Sequence, residues 1–317
     1  MSKGVPHKKH HYVPQTYLKQ FAHTNGKVDK PTYFLNACNR KATKPYTVNV
    51  EDICQIPHFY RISEEYLAEN PQDNLNPLSL EVEHFAEYVE TNFTSILEEI
   101  QRRKERCVQF GADTFPMREN DKYLLAEQIV IQFLRHPKMR KLDLDFFDDF
   151  YPQMLRLFQQ GLAIELNDPG IAELQIGIKK DDAVLHAKHT YLNDEILSSF
   201  TNDLSNNLWS FVYSPESLFM TSDNPVVCVQ QYPNERPLNL GLNQKGAIKF
   251  FAIFPDLLLI MMDEKITPGI DCKFGLATDN CINVYHNALL NQSDIVFSYN
   301  SFDNNKNIYG QTTNEKR

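Results

Sequence analysis

The chain lacks most of the local signatures that identify common enzyme classes. It has no Walker loop, no G-x-G-x-x-G, no G-x-S-x-G and no H-E-x-x-H. Those absences speak against a P-loop motor, a dinucleotide dehydrogenase, an α/β-hydrolase and a zincin protease. No two of its six cysteines form a C-x-x-C pair, so a zinc ribbon is not indicated. Sparse cysteines with apolar neighbours fit buried, reduced thiols and a cytoplasmic location. Basic residues are outnumbered, 32 Lys+Arg against 41 Asp+Glu for a net charge of -9. A sequence-blind nucleic-acid coat needs a basic surface, so any such contact is confined to a local patch. Long apolar runs are missing too. The start, MSKGVPHKKHHYVP, has no apolar core behind its basic residues. The most apolar stretch, Phe250 to Met262, is interrupted by Pro255 and Asp256 and is too short to span a bilayer, which needs about 20 residues.

What remains is a chain of 317 residues, 42% hydrophobic and 23% charged, with ordinary globular composition. Its order is mixed, then helical, then β-rich, which predicts an α+β fold. Residues 1–78 read as an N-terminal mixed module. A short helix follows Pro14, Asn25-Gly26 marks a hairpin turn, and extended pieces fall at 33–35, 48–50 and 59–62. Residues 79–208 read as helical. Val82, Phe85, Val89, Phe93, Ile96, Leu97 and Ile100 recur every three or four positions, with Glu81 and Glu83 at the start and Arg102 to Arg106 at the end, as a helix dipole favours. Further helices are predicted near 119–135, 142–162 and 194–207, with Pro152 kinking or dividing the third. Residues 209–300 read as β-rich, with strands near 209–213, 218–221, 226–230, 248–254, 257–262 and 295–299 and a short helix at 282–292. A polar, Asn-rich tail closes the chain over 301–317. The three regions are expected to form one compact domain.

Three clusters could carry chemistry. The first is His7 to Pro14. Adjacent histidines on an extended segment point to opposite sides, so one of His10 and His11 faces a given site, and a His beside a backbone-fixing Pro suits a general base or a metal ligand. The competing reading is a basic arm. The second is the turn Thr221-Ser222-Asp223-Asn224-Pro225 between two apolar runs. It places a carboxylate where it could hold a divalent cation or orient a histidine, or it is a plain Asx-type turn. The third is Gln132 to Arg140, where Arg135 and Arg140 could grip a phosphate bidentately or simply cap a helix. His186 and His189, on a strand or turn, form a weak possible metal pair.

HHYVPQTYLKQF, QFLRHPKMR and FMTSDNPVV occur in this order, followed by YHNALLNQSDIVFS. Together they resemble a bacterial family catalogued only as domain of unknown function 4238, over roughly residues 8 to 299. The resemblance implies a place among bacterial mobile and antiviral defence loci. It maps motif positions to His10, His11, Pro14, Gln132, Arg135, Arg140, Asp223, Asn224 and Asn287. His-His-apolar-apolar-Pro also resembles the first motif of His-Me finger nucleases, where it opens a β-hairpin; here the segment after Pro14 is helical at once.

Two functions follow as expectations. One is a metal-dependent nuclease or phosphodiesterase of anti-phage defence. His10, His11 and Asp223 would be catalytic, and His11 and Asp223 would hold Mg²⁺ or Mn²⁺. Gln132, Arg135, Arg140, Asn224 and Asn287 would bind a nucleic acid or nucleotide. The other is a non-enzymatic sensor or binding module that recognises a phage or host protein. No membrane partner is expected.

Overall fold

In the computed structural model, strand β1 (Lys9–His11) leads into Pro14, whose fixed backbone opens helix α1 (Gln15–Leu18), tightened to a 3-10 turn through Phe21. The residues described are 9–25, 30–41, 44–175, 180–230, 241–263 and 271–302. Strands β2 (His23–Thr24) and β3 (Tyr33–Asn39) pair antiparallel, as the Asn25-Gly26 turn predicts, although Gly26 itself lies outside the described residues. Strand β4 (Tyr46–Asn49) pairs with β3. Strand β5 (Gln55–Pro57) pairs with β1, His10 opposite Ile56 and His11 opposite Gln55. The His-His segment therefore pairs across more than forty residues and opens no local hairpin, unlike a His-Me finger.

The strand expected at 59–62 does not form. His58 sits in the left-handed region (φ 56°), which breaks the extended run, and the Tyr60 N–H is donated to the His10 imidazole at 2.8 Å. After α2 (Glu64–Glu69), the long helix expected from Leu80 does form, but its first eleven residues, Ser79–Val89, are wound as a π-helix before α3 (Glu90–Phe110). Gly111, at φ 61°, terminates it. Then come α4 (Glu119–Leu134), α5 (Pro137–Glu165), α6 (Gly170–Glu173), α7 (Asp182–His189) and α8 (Asp194–Ser205). Helix α5 begins with Pro137 in the first turn, where no N–H is needed, and His136 accepts the Lys138 N–H at 3.1 Å as its cap. Pro152 neither divides nor ends it. His186 and His189 lie on α7, not on a strand or turn.

The last third supplies β6 (Leu208–Tyr213), β7 (Thr221–Ser222), β8 (Val226–Gln230), β9 (Ala247–Phe254), β10 (Leu257–Met262), β11 (Lys273–Leu276), α9 (Asp279–Gln292) and β12 (Ile295–Ser298). The strand expected at 218–221 contracts to Thr221–Ser222. One five-stranded sheet runs β11-β6-β10-β9-β8. Its central strands β9 and β10 are apolar on both faces, as the run from Phe250 to Met262 requires. A second sheet runs β2-β3-β12-β7, with β4 beside β3. Strands from the two ends of the chain thus share one sheet. The fold is α+β. One buried apolar cluster takes side chains from all three regions, among them Tyr17, Phe93, Ile129 and Phe251. Residues 303–317, most of the expected polar tail, lie outside the described residues.

Candidate functional site

Helix α4 is buried on nearly all sides, and yet Gln128, Gln132 and Arg135, at positions i, i+4 and i+7, put a polar stripe into that interior. Two of these side chains clamp the backbone of the His-His segment. Gln132 Nε2 donates to the Tyr12 carbonyl at 3.0 Å, and Arg135 Nη2 donates to the His11 carbonyl. The first and third sequence clusters are therefore one structural unit.

Arg135 is the centre of this unit. Its guanidinium is 1% exposed and stacks over Phe85 (4.5 Å from its centroid) and Tyr60 (5.9 Å). Only Nη2 is hydrogen-bonded; Nε and Nη1 are buried with no partner. Around it stand Glu81 Oε2 and His84 Nε2, both buried and likewise without a hydrogen bond, and the Tyr60 hydroxyl, which lies against the guanidinium. Among the described residues, ten buried side-chain N and O atoms lack a partner, and all but one of them belong to β1, β5, Tyr60, the π-helix, α4 or Arg135 at its C-terminal end. Buried polar atoms are ordinarily satisfied, so this concentration is a property of the place and not of the whole protein.

The electrostatics set these groups apart. Burial pushes the Glu81 carboxyl up to about 7, against the pull of the Arg135 charge. Burial, reinforced by Arg135, holds the His84 imidazole down at about 4, so it is neutral at pH 7. Glu90 is also raised by burial. His10 faces the same cluster. It stacks on Tyr60 (5.9 Å, 9° between planes), and its Nδ1 lies 3.9 Å from Glu81 Oε2. His11, on the opposite side of the strand, meets other groups. Its Nδ1 is 3.3 Å from Gln15 Nε2, and burial lowers it to about 4.

Asp223 borders the same two segments: the His136 imidazole bonds its backbone, and its charge reaches Tyr12 and Cys54. Its Oδ1 accepts the backbone N–H groups of Asp294 (3.1 Å) and Ile295 (3.3 Å), tying the turn after β7 to β12. Burial raises this carboxyl to about 6. The carboxylate that the fold brings to a histidine of the first cluster is Glu81, not Asp223. Among the described residues, no three His, Cys, Asp or Glu side chains are grouped to hold a metal ion. His186 and His189 both turn to Asp143 (3.3 and 3.4 Å), a hydrogen-bonded link between α7 and α5.

The remaining expected binding residues are dispersed. Arg140 donates to the Phe59 carbonyl and stacks on the Phe59 ring at 4.5 Å. It lines an open groove of roughly 530 Å³ with Ile56, Phe59, Lys141 and Asp148. Phe59 faces this groove and the next residue, Tyr60, faces the Arg135 cluster, so the loop after β5 is the wall between them. Asn224 donates to the Gln292 carbonyl at 3.3 Å, and Asn287 is exposed on α9.

Sequence reasoning missed Tyr60, Glu81, His84 and His136. Glu81 was assigned to the helix dipole, but the π winding turns it inward. His136 stands inside the third cluster as the buried cap of α5, with its imidazole lowered to about 4 by burial. A polar stripe at i, i+4 and i+7 within an otherwise apolar helix was the signal available for Gln128 and Gln132.

The six cysteines are free, and all but Cys281 are buried. Among the described residues no helix is long and apolar enough to cross a membrane. Residues 9–301 match the model of a family described as "Protein of unknown function (DUF4238)". No curated protein and no solved structure matches the chain.

Proposed function

The chain belongs to the DUF4238 family, and from that premise we propose that it is a cytoplasmic phosphodiesterase or nuclease of bacterial anti-phage defence, with its active centre at Arg135. The observation that supports this reading is the convergence of unpartnered donors and acceptors on one buried guanidinium. Nε and Nη1 of Arg135 lie on different edges of the guanidinium, since Nη2, the member shared by both of its forks, is held by His11; each offers one donor to a phosphate oxygen. Glu81, with its carboxyl near 7, carries a proton in much of the population at neutral pH and is the general acid for the leaving oxygen. His84, neutral and with Nε2 unengaged, is the base that takes a proton from the attacking water. The water oxygen forms the new P–O bond as the bond to the leaving oxygen breaks. Tyr60 adds a hydroxyl donor beside the guanidinium. The centre is enclosed, which favours a small nucleotide over a duplex, with entry by displacement of the loop wall at Phe59–Tyr60.

The burial of the cluster is also what a sensor would show if the network only fixed the fold and recognition of a phage or host protein lay on the surface. One experiment separates the two. Full-length wild type, Arg135→Met and Glu81→Gln are assayed on bis(p-nitrophenyl) phosphate, cyclic dinucleotides, RNA and single-stranded DNA, with EDTA or with Mg²⁺ or Mn²⁺. The enzyme reading expects turnover by wild type and a loss of about 100-fold or more in both variants, with thermal melting retained. Absence of turnover by wild type, together with intact phage protection by Arg135→Met, would leave the sensor reading standing.

A further inference from the structure

Helix α5 carries a different anomaly. Leu142, Phe146, Phe150, Met154 and Phe158 repeat at i+4 along it, with Leu157 beside them, and all six are exposed, Phe146 by 62% and Phe158 by 65%. Helix α6 packs on another side of α5, through Gln159, and helix α7 covers Asp143 and Phe147 near its start, while the ridge residues stay exposed. At roughly 150–250 Å² for a large side chain, the ridge presents about 600 Å² of apolar surface. That is the upper end of what a monomer leaves bare. With its flanks it approaches the ~800 Å² per partner of a standard interface.

The ridge also has a symmetry. Phe150 and Met154, and Phe146 and Phe158, are placed about equally on either side of residue 152. Two such helices laid antiparallel around a two-fold axis at that point would set each half of the ridge against the other half of its copy. A ridge built on i±4 positions packs on its like at a crossing near -50°. The charges agree with the same register. Asp149 and Arg156 lie on one flank of the ridge, also about equally spaced from the axis. Both are exposed, and neither makes an ion pair within the described chain. In the antiparallel arrangement, Asp149 of one copy meets Arg156 of the other, twice.

The geometry points to a homodimer formed by antiparallel self-pairing of α5 through the Leu142–Phe158 ridge. It is independent of the chemistry at Arg135. The occupant is a second copy because the charge pattern is self-complementary about the same point as the apolar one; an unrelated partner would impose neither symmetry.

The test is the mass of the full chain in solution, by light scattering after size exclusion at about 50 µM. A protomer of 36.9 kDa is expected to run at twice that mass. Phe146→Asp with Phe158→Asp should give the monomer with an unchanged circular dichroism spectrum. Asp149→Arg should weaken the dimer about tenfold, by setting arginine against arginine, and Asp149→Arg with Arg156→Asp should restore it. Should the apolar variant fail to fold, a milder one decides. Gln153→Cys, on the ridge side next to the axis, should cross-link to its own copy on oxidation, whereas Pro152→Cys, on the far side of the helix, should not. A monomeric wild type, or a dimer indifferent to these changes and cross-linked equally by both cysteines, would overturn the proposal.

Discussion

The protein buries charge in two places and treats it differently. Beside the C-terminal sheet, two buried lysines are each answered by a carboxylate. Lys104 meets both oxygens of Asp256 at 2.8 and 2.6 Å. Lys122 reaches Asp271 and the Asn207 carbonyl, and Lys249 donates to Asn207 Oδ1 at 3.1 Å. Around α4, Arg135 has one hydrogen bond and two vacant nitrogens, and Glu81 and His84 each keep a polar atom without a partner. Desolvating a charge is costly and is offset only by complete pairing. Lys104 and Lys122 meet that condition and read as structure, whereas Lys249 has one neutral acceptor and a pKa lowered by burial. The region around α4 does not meet it, and a fold retains such a place when something other than stability is served by it.

The sharpest way to break this comparison is to remove one charge from each region. Asp256→Ala leaves Lys104 buried and unpaired. Asp256 is about one-fifth exposed, so the loss is expected to be about 2–3 kcal/mol in denaturant unfolding, somewhat below that of a fully buried pair. Arg135→Met removes a charge already half unanswered and keeps a long apolar stem against Phe85. Its expected cost is under about 1 kcal/mol, and a gain is in keeping with the argument. Equal, large losses in both variants would show that Arg135 is as structural as Lys104.

Glu81 sharpens the comparison through pH. Its folded carboxyl is raised to about 7 from an ordinary value of 4.5. Between those values the native state holds a proton that the unfolded chain has released. Stability is therefore fully present below about 4.5 and is lost as pH rises toward 7. Glu81→Gln removes this loss. The variant should match wild type near pH 4.5 and exceed it above pH 7, by at most about 3 kcal/mol. The neutral, buried histidines His11, His84, His136 and His286, each lowered to about 4, pull the other way as pH falls below 6.5, and they cancel in the difference between variant and wild type. Urea unfolding at pH 5 and pH 8 reads it directly. A difference that does not grow with pH would mean that Glu81 is ionised in the fold.

The contrast also marks what could be read from the sequence. The helices at 79–110, 119–134, 137–165 and 194–205 were legible because their period is local: Phe85, Phe93 and Ile100 repeat whatever they pack against, whereas α7 was not, its His186 and His189 being expected on a strand or turn. The strands at 247–262 were legible as uninterrupted apolar runs. The meeting of HHY with QFLR was not legible, because the bonds that join them are to backbone carbonyls, which no motif displays. Tyr60 and Glu81 were not foreseen. Tyr60 arrives through the pairing of β1 with β5, a long-range event, and Glu81 turns inward through the i→i+5 winding of Ser79–Val89, which breaks the 3.6-residue period that assigned it to solvent. Asp223 differs again: its residue types suit a metal or a turn equally, and the N–H groups of Asp294 and Ile295 that its Oδ1 accepts account for the turn.

Asp223 also gives the smallest effect and a clean division between the two readings of its role. In the structure it acts through Oδ1, which accepts from Asp294 and Ile295. Asparagine keeps that oxygen, and burial already disfavours the ionised carboxyl, raised to about 6. At about pH 4, where the folded carboxyl is protonated, Asp223→Asn should therefore change stability by no more than about 0.5 kcal/mol, while Asp223→Ala, which strands two N–H groups, should lose about 1–2 kcal/mol. Activity or phage protection should follow stability in both. Were Asp223→Asn as stable as wild type but without activity, the carboxylate itself would be needed, and the chemistry would extend from the Arg135 cluster across β1 to the turn after β7.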